Sequence, residues 1–231
     1  MAVNARQHTD PHYEAELKEL HLKLLEMAGF VEKQIANAIT ALVERDEELA
    51  RLTIERDHVV NRLDVEIDEQ SIRLLALHQP AARDLRLITT ALKITTDLER
   101  IGDLAVNVCE RVRELNTEPQ LKPYIDIPRM AEVAQKMLRE SIDAFVREDV
   151  DLALQVCRED DEIDDLNGQL FRELLTYMAE EPQTVTRAIR LLFIAKYLER
   201  IADHATNIAE MVVYMVKGKS IRHLDQVPQS V

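Results

Sequence analysis

Two tandem antiparallel three-helix bundles, all-α and related by internal duplication, are the fold the sequence predicts. Three observations carry that expectation. Residues 97 to 110 read DLERIGDLAVNVCE and residues 197 to 210 read YLERIADHATNIAE, with eight of fourteen positions identical at an offset of 100. A repeat of that density points to duplication. A second seam agrees: AITALVERDEELA (38 to 50) returns as SIDAFVREDVDLA (141 to 153) at an offset of 103. Apolar residues also recur at spacings of three and four along the chain, with no strand-like alternation. The chain of 231 residues suffices for one large or two small domains. Its four Gly, its lack of Trp and its wealth of Ala, Leu, Glu, Arg and Ile make a helical composition.

Residues 1 to 10 are polar and expected to be loose. The first helix is expected from about Pro11 to Arg45, where Leu17, Leu20, Leu24, Met27, Val31, Ile35, Ala38 and Leu42 form one stripe. Pro11 suits a first turn, where its missing N–H is harmless. The second helix is expected from about Glu48 to Leu77 on Leu49, Leu52, Val59, Leu63, Ile67 and Leu74. Pro80 ends it and opens the third, which runs to about Leu115, because the residue before proline is pushed out of the helical region. Pro119, Pro123 and Pro128 mark a linker. The pattern then restarts, with helices expected over about 129–148, 150–179 and 182–216. The domains are therefore 11–115 and 129–217, with a linker at 116–128 and a polar tail at 218–231.

The duplicated stretch is helical in both copies. Ile94, Leu98, Ile101, Ala105 and Val108 follow one apolar face, as do Ile194, Leu198, Ile201, Ala205 and Ile208. At about 100° per residue, Glu99, Asp103, Asn107 and Glu110 fall on roughly the opposite side, as do Glu199, Asp203, Asn207 and Glu210. A solvated face needs only some polar residue at each position, yet the same acids recur where the residues between them have drifted. Like charges at i and i+4 cost a few tenths of a kcal/mol, so something should offset them: Arg100 and Arg200, or a bound cation. The second helix of each repeat adds a matching row, Asp57, Asn61, Asp64 and Asp68 in one copy and Asp160, Asp164 and Asn167 in the other. Antiparallel neighbours can bring the two rows side by side. Such an all-oxygen set suits Mg²⁺, Mn²⁺, Ca²⁺ or oxygen-bridged iron. Asp84, in the first turn of the third helix, is either a helix-dipole acid or a further ligand. His204 has Leu104 as its counterpart and reads as a surface histidine or an accidental ligand.

The net charge of −14 disfavours nucleic acid and anionic lipid as partners. Cys109 and Cys157 have no metal-ligand or disulfide spacing, which suits small buried side chains in a reducing cytoplasm. No signal pattern and no apolar run long enough to insert into a membrane are seen. No catalytic residue is expected either. Carboxylate-bridged di-iron bundles use Glu-x-x-His twice, whereas Glu55-x-x-His58 occurs once, opposite Arg158-x-x-Asp161. Paired nucleophiles, phosphate-binding glycine loops and dinucleotide fingerprints are absent.

The blocks HQPAARDLRLI (78 to 88), DLERIGD (97 to 103), CREDDEID (157 to 164), LLTYM (174 to 178), ERIADHATNIAE (199 to 210) and YMVKGKSIRH (214 to 223) resemble, in order, those of the PhoU family. The resemblance covers nearly the whole chain. It implies two tandem three-helix bundles, commonly in a homodimer. It also implies surface binding of iron or Mn²⁺/Mg²⁺ through motifs that fall here on Glu99/Asp103 and Glu199/Asp203, with Asp84 and Asp160 as further acidic positions. The implied role is that of a cytoplasmic negative regulator of the phosphate-starvation response, bridging the transporter ATPase PstB and the sensor kinase PhoR. His204 and the Gly102/Ala202 pair depart from a symmetric pattern and leave room for two unequal sites. The expectation is thus a non-enzymatic, metal-binding adaptor; a metal-dependent helical enzyme and a purely structural adaptor are the alternatives.

Overall fold

A computed structural model describes residues 11–221. It contains seven α-helices: α1 (Pro11–Glu44), α2 (Glu47–Glu55), α3 (His58–His78), α4 (Ala82–Asn116), α5 (Asp126–Arg147), α6 (Val150–Glu180) and α7 (Val185–Lys217). A short 3₁₀ turn, Pro182–Thr184, leads into α7, and no strand occurs among the described residues. The expected loose residues 1 to 10, and the tail beyond residue 221, lie outside the described residues.

Each repeat forms an up-down-up unit. In the first, Gln70 Nε2 donates to the Glu16 carbonyl at 3.0 Å and Gln34 Nε2 to Asp57 Oδ1 at 3.0 Å, so α1 and α3 run antiparallel. In the second, Lys136 donates to Glu159 at 2.7 Å and Arg129 to Glu162 at 3.2 Å, pairing α5 with α6 in the same sense. The duplicated seam reproduces its turn in atomic detail. Arg45 and Glu148 both sit in the left-handed region, with φ of 56° and 55°. The next residue caps the next helix: Asp46 Oδ1 accepts from Leu49 N at 2.9 Å and Asp149 Oδ1 from Leu152 N at 3.0 Å. A carboxylate in that position satisfies an otherwise orphaned backbone N–H.

The single second helix expected from Glu48 to Leu77 is instead broken at Arg56–Asp57. The chain tightens there to i→i−3 bonding, with Asp57 N donating to Ile54 O at 3.2 Å and Val59 N to Arg56 O at 3.0 Å. Neither Gly nor Pro marks the break. Asp57 secures it, accepting from Gln34 on one carboxylate oxygen and from Asn61 Nδ2, at 2.9 Å, on the other. The counterpart α6 is unbroken.

The connection between the repeats is shorter than expected, because α5 begins at Asp126 and Pro128 falls in its first turn, where no N–H is needed. Arg45 donates to the carbonyls of Asn116 and Glu118 at 3.0 and 2.6 Å. Lys122, only 8% exposed, bridges Asp126 and Glu173. Removing that ammonium leaves two carboxylates facing each other at the base of the second unit. Lys122→Ala is expected to lower stability by about 1–2 kcal/mol, read from the midpoint of urea denaturation.

The two units share one core. α4 and α7 form the most extensive helix pair and run antiparallel: Arg86 donates to the Met215 carbonyl at 3.0 Å, Asp97 meets His204 at 2.7 Å, and Arg190 meets Glu114 at 3.0 Å. α1 and α5 make a second, smaller contact, with Arg139 donating to Glu32 at 2.7 Å and the rings of His21 and Phe145 stacked at 5.3 Å. The buried side chains of both units make one contiguous cluster.

Candidate functional site

Each acid row lies on a helix seam, not on a face opposite the core. α4 packs against α1, α2, α3 and α7, so it is buried over about half its circumference. Gly102, Leu104 and Cys109 join the expected stripe of Leu98, Ile101, Ala105 and Val108 in the core. Glu99, Asp103 and Asn107 are left on the border, half-buried. The periodicity of one stripe carried no sign of the second.

In the first unit, Asp57 and Asp64 from the second arm face Glu99 and Asp103 from α4. Burial raises Glu99 above the usual carboxylate range, and the charges of Asp103, Asp64 and Asp57 add to it, against the pull of Arg100. Arg100 lies 3.5 Å from Glu99 and 3.6 Å from Asp103. Asp64 is also raised, by burial and by Asp68. The close approach of the two arms depends on Gly102. A Cβ there would stand 3.2 Å from Gln34 Oε1, 3.4 Å from Val60 and 3.5 Å from Asp57 Oδ1.

In the second unit, Asp160, Asp164 and Asn167 of α6 face Glu199 and Asp203 of α7. Asn167 Nδ2 donates to Glu199, which also accepts from Lys196. Thr206 Oγ1 donates to Asp160 at 3.5 Å. Asp160 is pushed up to about 6, first by burial and then by Asp203 and Asp164. Asp164 is raised by burial and Glu199, and Asp203 by burial and Glu199. Asn207 is half-buried one turn beyond Asp203.

The structure brings together Asp57, Asp64, Glu99 and Asp103 on one seam and Asp160, Asp164, Glu199 and Asp203 on the other. It does not bring Asp84 to either. Asp84 sits in the first turn of α4, about 22 Å from Glu99 by helical rise. Its carboxylate lies instead against the Tyr13 hydroxyl, which burial and Asp84 together push up to about 12. His204, expected at the surface, is half-buried between the units and bonded to Asp97. His58 Nδ1 donates to the Glu55 carbonyl at 2.7 Å while the Glu55 carboxylate pairs with Arg51, so these two do not act as a ligand pair. Gln34, Lys196 and Thr206 belong to the seams and were missed. Gln34 alone carried a signal, as a polar residue beside the apolar stripe at Val31 and Ile35. Cys109 and Cys157 are free and buried, with thiols pushed up to about 12 chiefly by burial.

Among the described residues, no three His, Cys, Asp or Glu side chains converge on a point that could hold a metal ion. The donors are nevertheless of the hard-oxygen kind. The raised carboxyls of Asp64, Glu99, Asp160, Asp164 and Asp203 fit negative charge crowded along the seams, which a divalent cation would relieve. In donor chemistry and charge the residues fit such an ion.

The fold and these seams define a duplicated helical-bundle protein with one acid-lined seam per unit. The chain belongs to the PhoU family: the PhoU domain matches residues 24–112 and 127–212, once in each unit. It is 42% identical over 218 residues to the phosphate-specific transport system accessory protein PhoU homolog of Pseudomonas putida, covering 94% of this chain and 85% of that one. The crystal structure of PhoU from Pseudomonas aeruginosa superposes with a TM-score of 0.86 at 43% identity, over 90% of this chain and all of that one. The phosphate transport system regulatory protein PhoU from Streptococcus pneumoniae superposes at 0.84 with 28% identity, over 90% of this chain and 99% of that one. These relatives are named as accessory or regulatory proteins, not as enzymes, in line with the expectation of no catalytic role. No helix among the described residues is long and apolar enough to cross a membrane.

Proposed function

We propose that this chain is an accessory protein of a phosphate-specific transport system, acting at the cytoplasmic face as a homodimeric adaptor between the transporter ATPase PstB and the sensor kinase PhoR. In that role it holds phosphate uptake and the starvation response down when phosphate is plentiful. The observation that carries the reading is the pairing of a PhoU domain with each unit, each unit bearing the same acid seam. Iron, Mn²⁺ or Mg²⁺ is the cation proposed for the seams. Glu99, Asp103, Asp57 and Asp64 would hold it in the first, and Glu199, Asp203, Asp160 and Asp164 in the second, with Asn107 and Asn207 as neighbouring oxygen donors. Bound there, the ion supplies charge neutralisation across a helix pair and no reaction step.

Elemental analysis of protein purified without chelator, beside the variant Glu99→Gln/Asp103→Asn/Glu199→Gln/Asp203→Asn, tests the ligand assignment. Metal in the parent and its loss from the variant is the expected result. One observation favours a second reading, in which the acids are protein-binding faces of a structural adaptor: among the described residues no three carboxylates converge as they stand. Metal-free protein that still represses starvation genes in a host lacking its own relative would decide for that reading.

A further inference from the structure

The duplication supplies an internal control for every surface residue, and one patch fails to repeat. On the α6–α7 face of the second unit, Phe171, Ile189 and Phe193 are 48%, 41% and 48% exposed. Asn167, Leu192 and Lys196 complete a groove of about 320 Å³. At the matching positions of the first unit stand Asp68 for Phe171, Thr89 for Ile189 and Lys93 for Phe193. The chain has four Phe in all, and two of them share this exposed groove. Divergence from polar or charged residues to a contiguous apolar patch marks a contact surface better than scattered exposed residues do. A solvated face has no use for two aromatic rings.

What seats on it is written in the continuation of the same seam. One turn from Phe171, Asn167 is bonded to Glu199; further along α6 come Asp164, Asp161 and Asp160, and across on α7 comes Asp203. The face therefore reads, over about 16 Å of helix, from aromatic to acidic. Phe193 is braced by Tyr197, their rings stacked at 6.2 Å. We infer that the α6–α7 seam of the second unit is the docking groove for an amphipathic helix of a partner protein. Leucine-like side chains of that helix enter between Phe171 and Phe193, and its Lys or Arg residues, one to three turns along, lie over Asp164, Asp160 and Asp203. Helix-in-groove recognition of this kind takes its affinity from the apolar anchors and its orientation from the charges. The first unit keeps the acids and lacks the anchors, so it binds such a helix weakly. The inference rests on the adaptor reading in the form in which the second unit's acids face a partner and hold no ion, and it supplies the chemistry of that partner.

The test uses the full chain and a fluorescein-labelled amphipathic Leu/Lys helical peptide, followed by anisotropy. Phe171→Asp/Phe193→Lys, which installs the residues of the first unit, is expected to weaken binding about tenfold or more. Asp164→Asn/Asp203→Asn is expected to weaken it less and to flatten its salt dependence, and Leu22→Ser/Ile72→Ser, exposed elsewhere, to leave it unchanged. Equal binding by parent and the Phe variant overturns the groove, as does no binding by the parent. Sedimentation of both proteins is run alongside: a dimer that falls to monomer only in the Phe variant assigns the patch to a second copy and overturns the peptide reading. Binding to neutral phosphatidylcholine vesicles, lost in the Phe variant and indifferent to salt, reassigns it to lipid. Both proteins are then placed in a host lacking its own relative. Failure of the parent to restore repression counts against the accessory role itself, whereas equal restoration by parent and Phe variant counts against the groove alone.

Discussion

Phe145→Ala is expected to cost about 3–5 kcal/mol, the range for truncating a fully buried aromatic, and to destabilise both units together. Phe145 belongs to α5 but is 2% exposed because the first unit covers it. Its ring stacks on His21 at 5.3 Å, and Leu20, Leu24, Leu87 and Ala91 gather round the same contact. Truncation therefore opens a void between the units as well as within one. Guanidinium unfolding followed by far-ultraviolet dichroism, with one fluorescent label placed in each unit, reads the outcome. Coincident transitions, shifted together in the variant, are expected from a single shared core. Separate midpoints, with only the label in the second unit responding, would show that the α1–α5 contact carries little of the stability.

Asp160→Asn is expected to stabilise the protein at pH 7.5 by about 1–2 kcal/mol, solvent screening of the seam included. The sign follows from the direction of the shift. Burial and the neighbouring acids push Asp160 up to about 6 in the folded chain, from its ordinary 3.8, so between those pH values the folded state holds the proton that the unfolded state has lost. Stability contributed at this site is present at pH 4 and falls as the pH rises through 6. Asp164, Asp203, Glu99 and Asp64 are raised in the same direction, so a stability profile that climbs between pH 7 and pH 5 is expected of the parent. The asparagine removes one ionisation from that profile, and its advantage should vanish below about pH 4. A parent profile flat over this window would mean that the seam carboxylates repel one another less than their spacing implies. Added Mn²⁺ is expected to raise the parent's midpoint at pH 7.5 more than the variant's, because the ion and the amide relieve the same repulsion.

The repeat and the three arms of each unit were legible in the sequence, since periodicity and self-similarity are local properties. The break at Arg56–Asp57 was not. TIERDHVVN contains no Gly or Pro, and the tightening is stabilised by Gln34, 23 residues away. Pro128 was read as linker because a proline in a first turn and a proline in a loop look alike without the hydrogen bonds. The depth of the seams escaped for a different reason: one helical stripe reveals one neighbour, and α4 has several. Asp84 looked like a site residue through the resemblance, but position along a rod of fixed rise separates it from the seams.

The α4–α7 pairing also sets a timetable for synthesis. The helices of the first unit make most of their contacts with near neighbours and can form as the chain emerges. The side of α4 that carries Leu104 nevertheless awaits a partner encoded about 100 residues later. At about 5–20 residues per second, that side stays bare on the ribosome for about 5–20 s. The nascent chain thus passes through an interval in which an apolar surface is complete and uncovered, and a holdase that shields it is a natural companion for the half-made protein.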